Sequence, residues 1–215
     1  VLSGDVSPEE GLALARQAFG DWGRPAQALP AQPRVSPAAD RQVVVIDLPG
    51  AGQASVRLAK PAIARKDPAY YPGIVANSVL GGGYSARLNQ EIRIKRGLSY
   101  GAGSGLSARR TTGAFQAQAQ TKNESAPEVM DLIATEMARL AAEPVSQDEL
   151  DARKSVLIGA FGRALGTAGG LGGVLGELAL QDVPLSEITA YTAKVEAVSP
   201  EAVRAFAAER LSPED

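Results

Sequence analysis

The stretch that most constrains the fold runs from Leu88 to Tyr100, LNQEIRIKRGLSY, because the hydrophobic period changes there from helical to strand-like across one glycine. Ser85 is placed to cap a helix whose apolar face is Leu88 and Ile92. Gly97 stops that helix just after Arg93, Lys95 and Arg96, whose positive charge suits the negative end of the helix dipole. From Leu98 onward the period is two. Leu98, Tyr100, Ala102, Ser104 and Leu106 are predicted on one side of a strand, with Ser99, Gly101, Gly103 and Gly105 on the other. The second side is nearly bare backbone, which admits close approach.

Arg93 precedes Tyr100 by seven positions, one in the last turn of the helix and the other early in the strand, so both are expected to point at one volume beyond Gly97. A planar fork of donors beside a phenolic hydroxyl suits the gripping of peptide carbonyls or a carboxylate. The run GGGYSARLNQEIRIKRGLSYGAGS resembles a segment in the second, non-catalytic homologous domain of the pitrilysin, insulinase and mitochondrial processing peptidase family of zinc peptidases. Ser85, Arg87, Leu88, Arg93, Gly97, Leu98 and Tyr100 match its pattern, S-x-R-L, then an arginine, then G-L-x-Y. The resemblance covers nearly the whole chain in element order. It implies that Arg93 and Tyr100 reach into a cavity to orient a bound peptide and stabilise the transition state, with Arg87 and Ser99 as adjacent substrate-binding candidates.

The chain has no histidine and no cysteine. It can therefore supply neither the H-x-x-E-H zinc helix of those peptidases nor a serine triad with a histidine base, and thiol catalysis is excluded. The resemblance thus implies zinc on a catalytic partner domain or subunit, no cofactor in this chain, and no activity for the chain by itself. A net charge of −2 without a long basic run argues against a nucleic-acid surface. No apolar run reaches the ~18 residues of a membrane span. The residues leave the compartment open; the resemblance points to the periplasm or export, as in bacterial relatives, with the cytosol as the alternative.

In chain order, a short strand-like piece precedes a helix with Ser7 as cap, Pro8 at its first position and Glu10 completing a capping box. In the family a similar strand and helix close the first homologous domain, so residues 1–22 are expected to finish a preceding domain. Residues 23–40, with Pro25, Pro30, Pro33 and Pro37, read as an extended linker. The main domain is expected over 41–215. Val43 to Pro49 is predicted as a buried strand, followed after Gly50 and Gly52 by the alternating run Gln53 to Ala59, and the resemblance implies that the two pair as an antiparallel hairpin. A helix is predicted from Asp67 to Leu80, ended by Gly81 to Gly83, and a strand from Gly113 to Thr121. Further helices are predicted over Ala126 to Ala142, from a Ser146/Glu149 capping box, over Gly169 to Leu180, over Ser186 to Val198, and after Ser199.

The fold class that follows is α+β: an antiparallel sheet with helices on one face, a processing-peptidase-like α/β sandwich. Gly81 to Gly83 lacks the lysine of a phosphate cradle and reads as a helix stop. The glutamines 116, 118 and 120 suit either peptide backbone or a solvated face, and the glycines of 169–176 suit helix packing. Two functions are in play: the substrate-binding, zinc-free half of a zinc endopeptidase, or a catalytically inactive scaffold subunit of the same family.

Overall fold

The computed structural model describes residues 1–23 and 42–212. Helix α1 (Pro8–Phe19) opens the chain, and its capping box forms as predicted: Ser7 Oγ accepts from Glu10 N–H while Ser7 N–H donates to Glu10 Oε2 at 2.9 Å. Then come β1 (Ala54–Ala62), α2 (Tyr70–Leu80), a π-helical segment (Asn89–Ile94), β2 (Ser99–Ala108) and β3 (Gly113–Thr121). Five helices follow: α3 (Ala126–Ala142), α4 (Gln147–Leu165), α5 (Ala168–Leu180), α6 (Glu187–Glu196) and α7 (Pro200–Arg210). The architecture is the expected α+β class.

The sheet has the order β1-β3-β2, with both pairs antiparallel. Alternation along β3 decides its two faces. Phe115, Ala117 and Ala119 are buried, and Gln116, Gln118 and Gln120 are exposed. The buried face meets α2 and α3, and α7 packs on both of those helices. Val129, Ile133, Met137 and Leu140 form a stripe along α3 at helical spacing, all fully buried. Each such side chain contributes roughly 1.5–3 kcal/mol of burial energy. The opposite face of the sheet carries Ser55, Arg57 and the glutamines, all exposed.

Several expectations need correction. Val43 to Pro49 forms no strand, and Val43, Val44, Val45, Ile46 and Leu48 are exposed, Val45 by 86%. Apolar composition favours burial without naming a partner, and the ladder bonds of β1 are made by β3 instead. No strand forms at residues 1–6 either; Ser3 Oγ donates to Ala168 O at 2.6 Å. Helix α2 begins three residues after Asp67, whose carboxylate takes the Ala69 N–H at 2.8 Å in a local turn that competes with helix.

Ser85 caps nothing, because its hydroxyl accepts from Arg153 Nη2 at 2.8 Å. The Ser146/Glu149 box is half formed: Ser146 Oγ caps Glu149 N–H, but the Glu149 carboxylate is drawn to Arg87. Of the glycines in α5, Gly170 lies against the end of α4, where a Cβ would fall 2.0 Å from Ala164 O, and Gly172 lies against Ser3, while positions 169, 173 and 176 face open space, so close helix contact accounts for Gly170 alone. The predicted linker falls outside the described residues from position 24 onward.

Candidate functional site

The segment from Ala86 to Leu98 is wound more widely than an α-helix at its end: Lys95 N–H bonds Gln90 O at 2.9 Å, and Leu98 N–H bonds Ile92 O at 2.9 Å. Leu88 and Ile92 are fully buried, as their spacing predicts, and anchor the segment from below. Gly97 then turns the chain at φ +65°, a conformation that glycine adopts without a Cβ penalty. This stop sends Arg93 and the following strand to the same side.

Strand β2 does not start in simple alternation. Ser99 pairs with Thr121 and Ala102 with Ala119, so three steps on β2 match two on β3, which is a bulge. Ser99 Oγ stabilises it locally, donating to Gly101 O at 2.7 Å and accepting from Gly101 N–H at 3.1 Å. The extra residue breaks the predicted grouping of Tyr100 with Ala102 and Leu106. Those two pack against the core, whereas Tyr100 stands 90% exposed on the open face of the sheet.

Arg93 and Tyr100 meet there. The guanidinium carbon of Arg93 is 4.9 Å from the ring centre of Tyr100 and 5.1 Å from that of Tyr84. It makes no ion pair among the described residues. The three side chains stand over a hollow of about 680 Å³, whose wall and floor include Ser55, Arg57, Gln118, Gln120 and the backbone of Gly101 and Gly103.

Asn89 ties the wall together. Its Nδ2 donates to Tyr84 O at 2.6 Å, and its Oδ1 accepts from Ala102 N–H at 3.4 Å, so one buried amide links the loop, the helix end and the bulge. Gly81 is held against β2, its carbonyl accepting from Ser104 N–H at 3.1 Å, and a Cβ there would fall 2.2 Å from that nitrogen. Tyr84, Asn89 and Arg57 escaped the sequence reading. The polar Asn89 beside the buried Leu88 is the one visible signal.

The other two candidates have partners elsewhere. Arg87 forks onto Glu149, Nε to Oε1 at 2.9 Å and Nη2 to Oε2 at 2.7 Å, and this pairing holds the guanidinium above its ordinary pKa. Ser99 is absorbed in the bulge. Neither lines the hollow. The sequence has no histidine or cysteine, and no group of three or more acidic side chains is placed to hold a metal among the described residues, so those residues offer no donor set that fits zinc.

The model of the peptidase M16 inactive domain matches residues 1–157. The chain belongs to the peptidase M16 family. It is 30% identical over 213 residues to an uncharacterized zinc protease of Streptomyces coelicolor, covering 97% of this chain and 46% of that protein. The crystal structure of a peptidase M16 inactive domain from Pseudomonas fluorescens matches with a TM-score of 0.75 at 29% identity, over 96% of this chain and 49% of that one. A protease from Helicobacter pylori shares the fold, with a TM-score of 0.86 at 21% identity over 97% of this chain and 51% of the other. The M16 chain described here therefore spans about half the length of these relatives. The family resemblance carried by Ser85 to Tyr100 agrees with this membership.

Proposed function

We propose that this M16 domain is the substrate-facing, zinc-free half of a zinc endopeptidase, and that Arg93 and Tyr100 orient a peptide in a cavity completed by a zinc-bearing domain or subunit. The observation that carries the reading is the Arg93 guanidinium, which pairs with no carboxylate among the described residues and is set beside an exposed phenol over an open hollow. Both groups are donors. Held in place before substrate arrives, they favour an oxygen that gains negative charge, with little reorganisation at the moment of reaction. Tyr84 and Tyr100 hold the guanidinium by cation–π attraction, which uses none of its N–H donors. The zinc chemistry belongs to the other half, and no residue of this chain takes part in holding the metal.

The same reading assigns residues 1–22 to a neighbouring homologous domain. Leu12, Leu14, Phe19 and Trp22 are exposed, as a helix prepared for another partner would leave them, which supports that assignment.

The test is hydrolysis by the whole protein. Arg93→Ala or Tyr100→Phe is expected to lower turnover about ten- to a thousandfold, on the order of 1.4–4 kcal/mol, with zinc content unchanged. Wild-type hydrolysis in both variants would remove the role, whereas no hydrolysis by the unmodified whole protein would leave the scaffold reading in its place.

A further inference from the structure

The hollow under Arg93 contains a second guanidinium that the proposed reaction does not use. Arg57 lies on the open face of β1, opposite Gln118 of β3, which in turn lies opposite Gly103 of β2. The three form one row across the sheet. Neighbouring strands are about 4.8 Å apart, so the row spans roughly 10 Å, within reach of an arginine side chain. Arg93 enters from the β2 side, at the end of its helix. Arg57 and Arg93 both line the hollow, and no aspartate or glutamate does. Neither arginine has an ion pair or side-chain hydrogen bond among the described residues.

We propose that Arg57 makes this hollow selective for acidic peptides, by pairing with a glutamate or aspartate side chain of a peptide that crosses the open face of the sheet. The inference rests on the reading of the hollow as a peptide site and names its substrate class. Two cations without a counter-charge in one concavity attract carboxylates in a chain whose net charge is otherwise −2. The space for a peptide backbone is present too. Gly101 offers no side chain, a Cβ there would meet nothing within 4 Å, and the amides of Gln118 and Gln120 can pair with backbone groups. The glutamines accept any sequence and Arg93 is assigned to the peptide's reacting carbonyl in the proposed function, so discrimination between side chains falls to Arg57.

The experiment measures binding to the whole protein of two rhodamine-labelled dodecapeptides, one alternating alanine with glutamate and the other alanine with glutamine. The glutamate peptide is expected to bind about tenfold tighter, the worth of a charge-assisted hydrogen bond, and the ratio should shrink as salt is raised. Arg57→Gln should bring the ratio to within about twofold, Arg57→Lys should keep most of it, and Arg57→Glu should invert it, leaving the glutamine peptide as the tighter binder. Arg57 is exposed on the solvent side of its strand, so these variants keep the core intact. Equal binding of the two peptides by the wild type, an unchanged ratio in Arg57→Gln, or no binding of either peptide overturns the inference. Peptide hydrolysis by Arg93→Ala is read separately: a wild-type rate there overturns the catalytic reading and leaves the Arg57 binding ratio to be judged by itself.

Discussion

Two concavities of this molecule are built from the same kinds of side chain and behave oppositely. The hollow on the open sheet face sets Arg93 between Tyr84 and Tyr100. A second, of about 550 Å³ between the start of α2 and α6, sets Arg65 over the ring of Tyr70, 3.7 Å from its centre, with Tyr71 and Lys194 alongside. The difference lies in the carboxylates: Asp67 and Glu187 line the second, none lines the first, and Glu187 is the one that pairs with the cations. Glu187 accepts from the Tyr71 hydroxyl, from Arg65 Nη2 at 3.3 Å and from Lys194 Nζ at 2.5 Å.

Burial pushes the Tyr71 hydroxyl above its ordinary pKa, and the Glu187 hydrogen bond and charge add to that rise. Burial likewise lifts Tyr191 to about 12. For Glu187 burial works upward too, but the Lys194, Tyr71 and Arg65 bonds outweigh it and hold the carboxyl below its usual value. A cation whose counter-charge lies within the chain fastens elements together. One left without a counter-charge is available to a ligand.

That contrast gives an ordered set of expectations. Glu187→Ala should cost the most stability, about 3 kcal/mol by urea unfolding, because it leaves Arg65 and the Tyr71 hydroxyl partly buried without their acceptor. Glu149→Ala should cost about 2 kcal/mol by the same measurement, since Arg87 would lose both arms of its fork. A loss below 0.5 kcal/mol in either would break the distinction between clasp and site. Tyr84→Ala removes one of the two rings beside Arg93 and should lower kcat/KM of the whole protein about two- to fivefold, on the order of 0.5–1 kcal/mol. Arg93→Ala should shift stability by less than about 0.5 kcal/mol, in contrast to the large loss of hydrolysis proposed for it, because it surrenders no buried pair.

Acid sharpens the same contrast. Glu187 is held below the ordinary value of 4.5, so the unfolded chain binds its proton first and the carboxylate's contribution is present above that pH. Stability should fall as pH drops below about 4.5, through the folded value, and Glu187→Gln should flatten that part of the curve. An unaltered acid limb in Glu187→Gln would mean that the cluster contributes nothing by ionisation.

Much of the fold was legible because local rules and packing agree. The caps at Ser7 and Ser199, the α3 stripe from Val129 to Leu140, and the alternation of Phe115 with Gln116 each state their own burial. Val43 to Leu48 failed because a run of apolar residues specifies no ladder partner. Arg93 and Tyr100 were legible as a pair through Gly97 and the family motif, yet the face that Tyr100 occupies was not. A bulge adds one residue to the count, and each added residue reverses the parity of everything on one side of it. Arg87, in the same motif, could not be told from Arg93 by residue type. Its carboxylate comes from Glu149, on a helix that begins after β3.

The sequence by itself determined the helices with clear caps and stripes, the glycine stop after the cationic run, and, through zero histidine and zero cysteine, that this stretch carries neither an H-x-x-E-H helix nor a thiolate ligand. Tertiary structure alone decided which arginine is paired and which is open, where Tyr100 points, and that Arg57 shares the hollow with Arg93. Caps and hydrophobic periods act over a few residues, while charge pairing and strand register depend on groups that only the folded chain brings together.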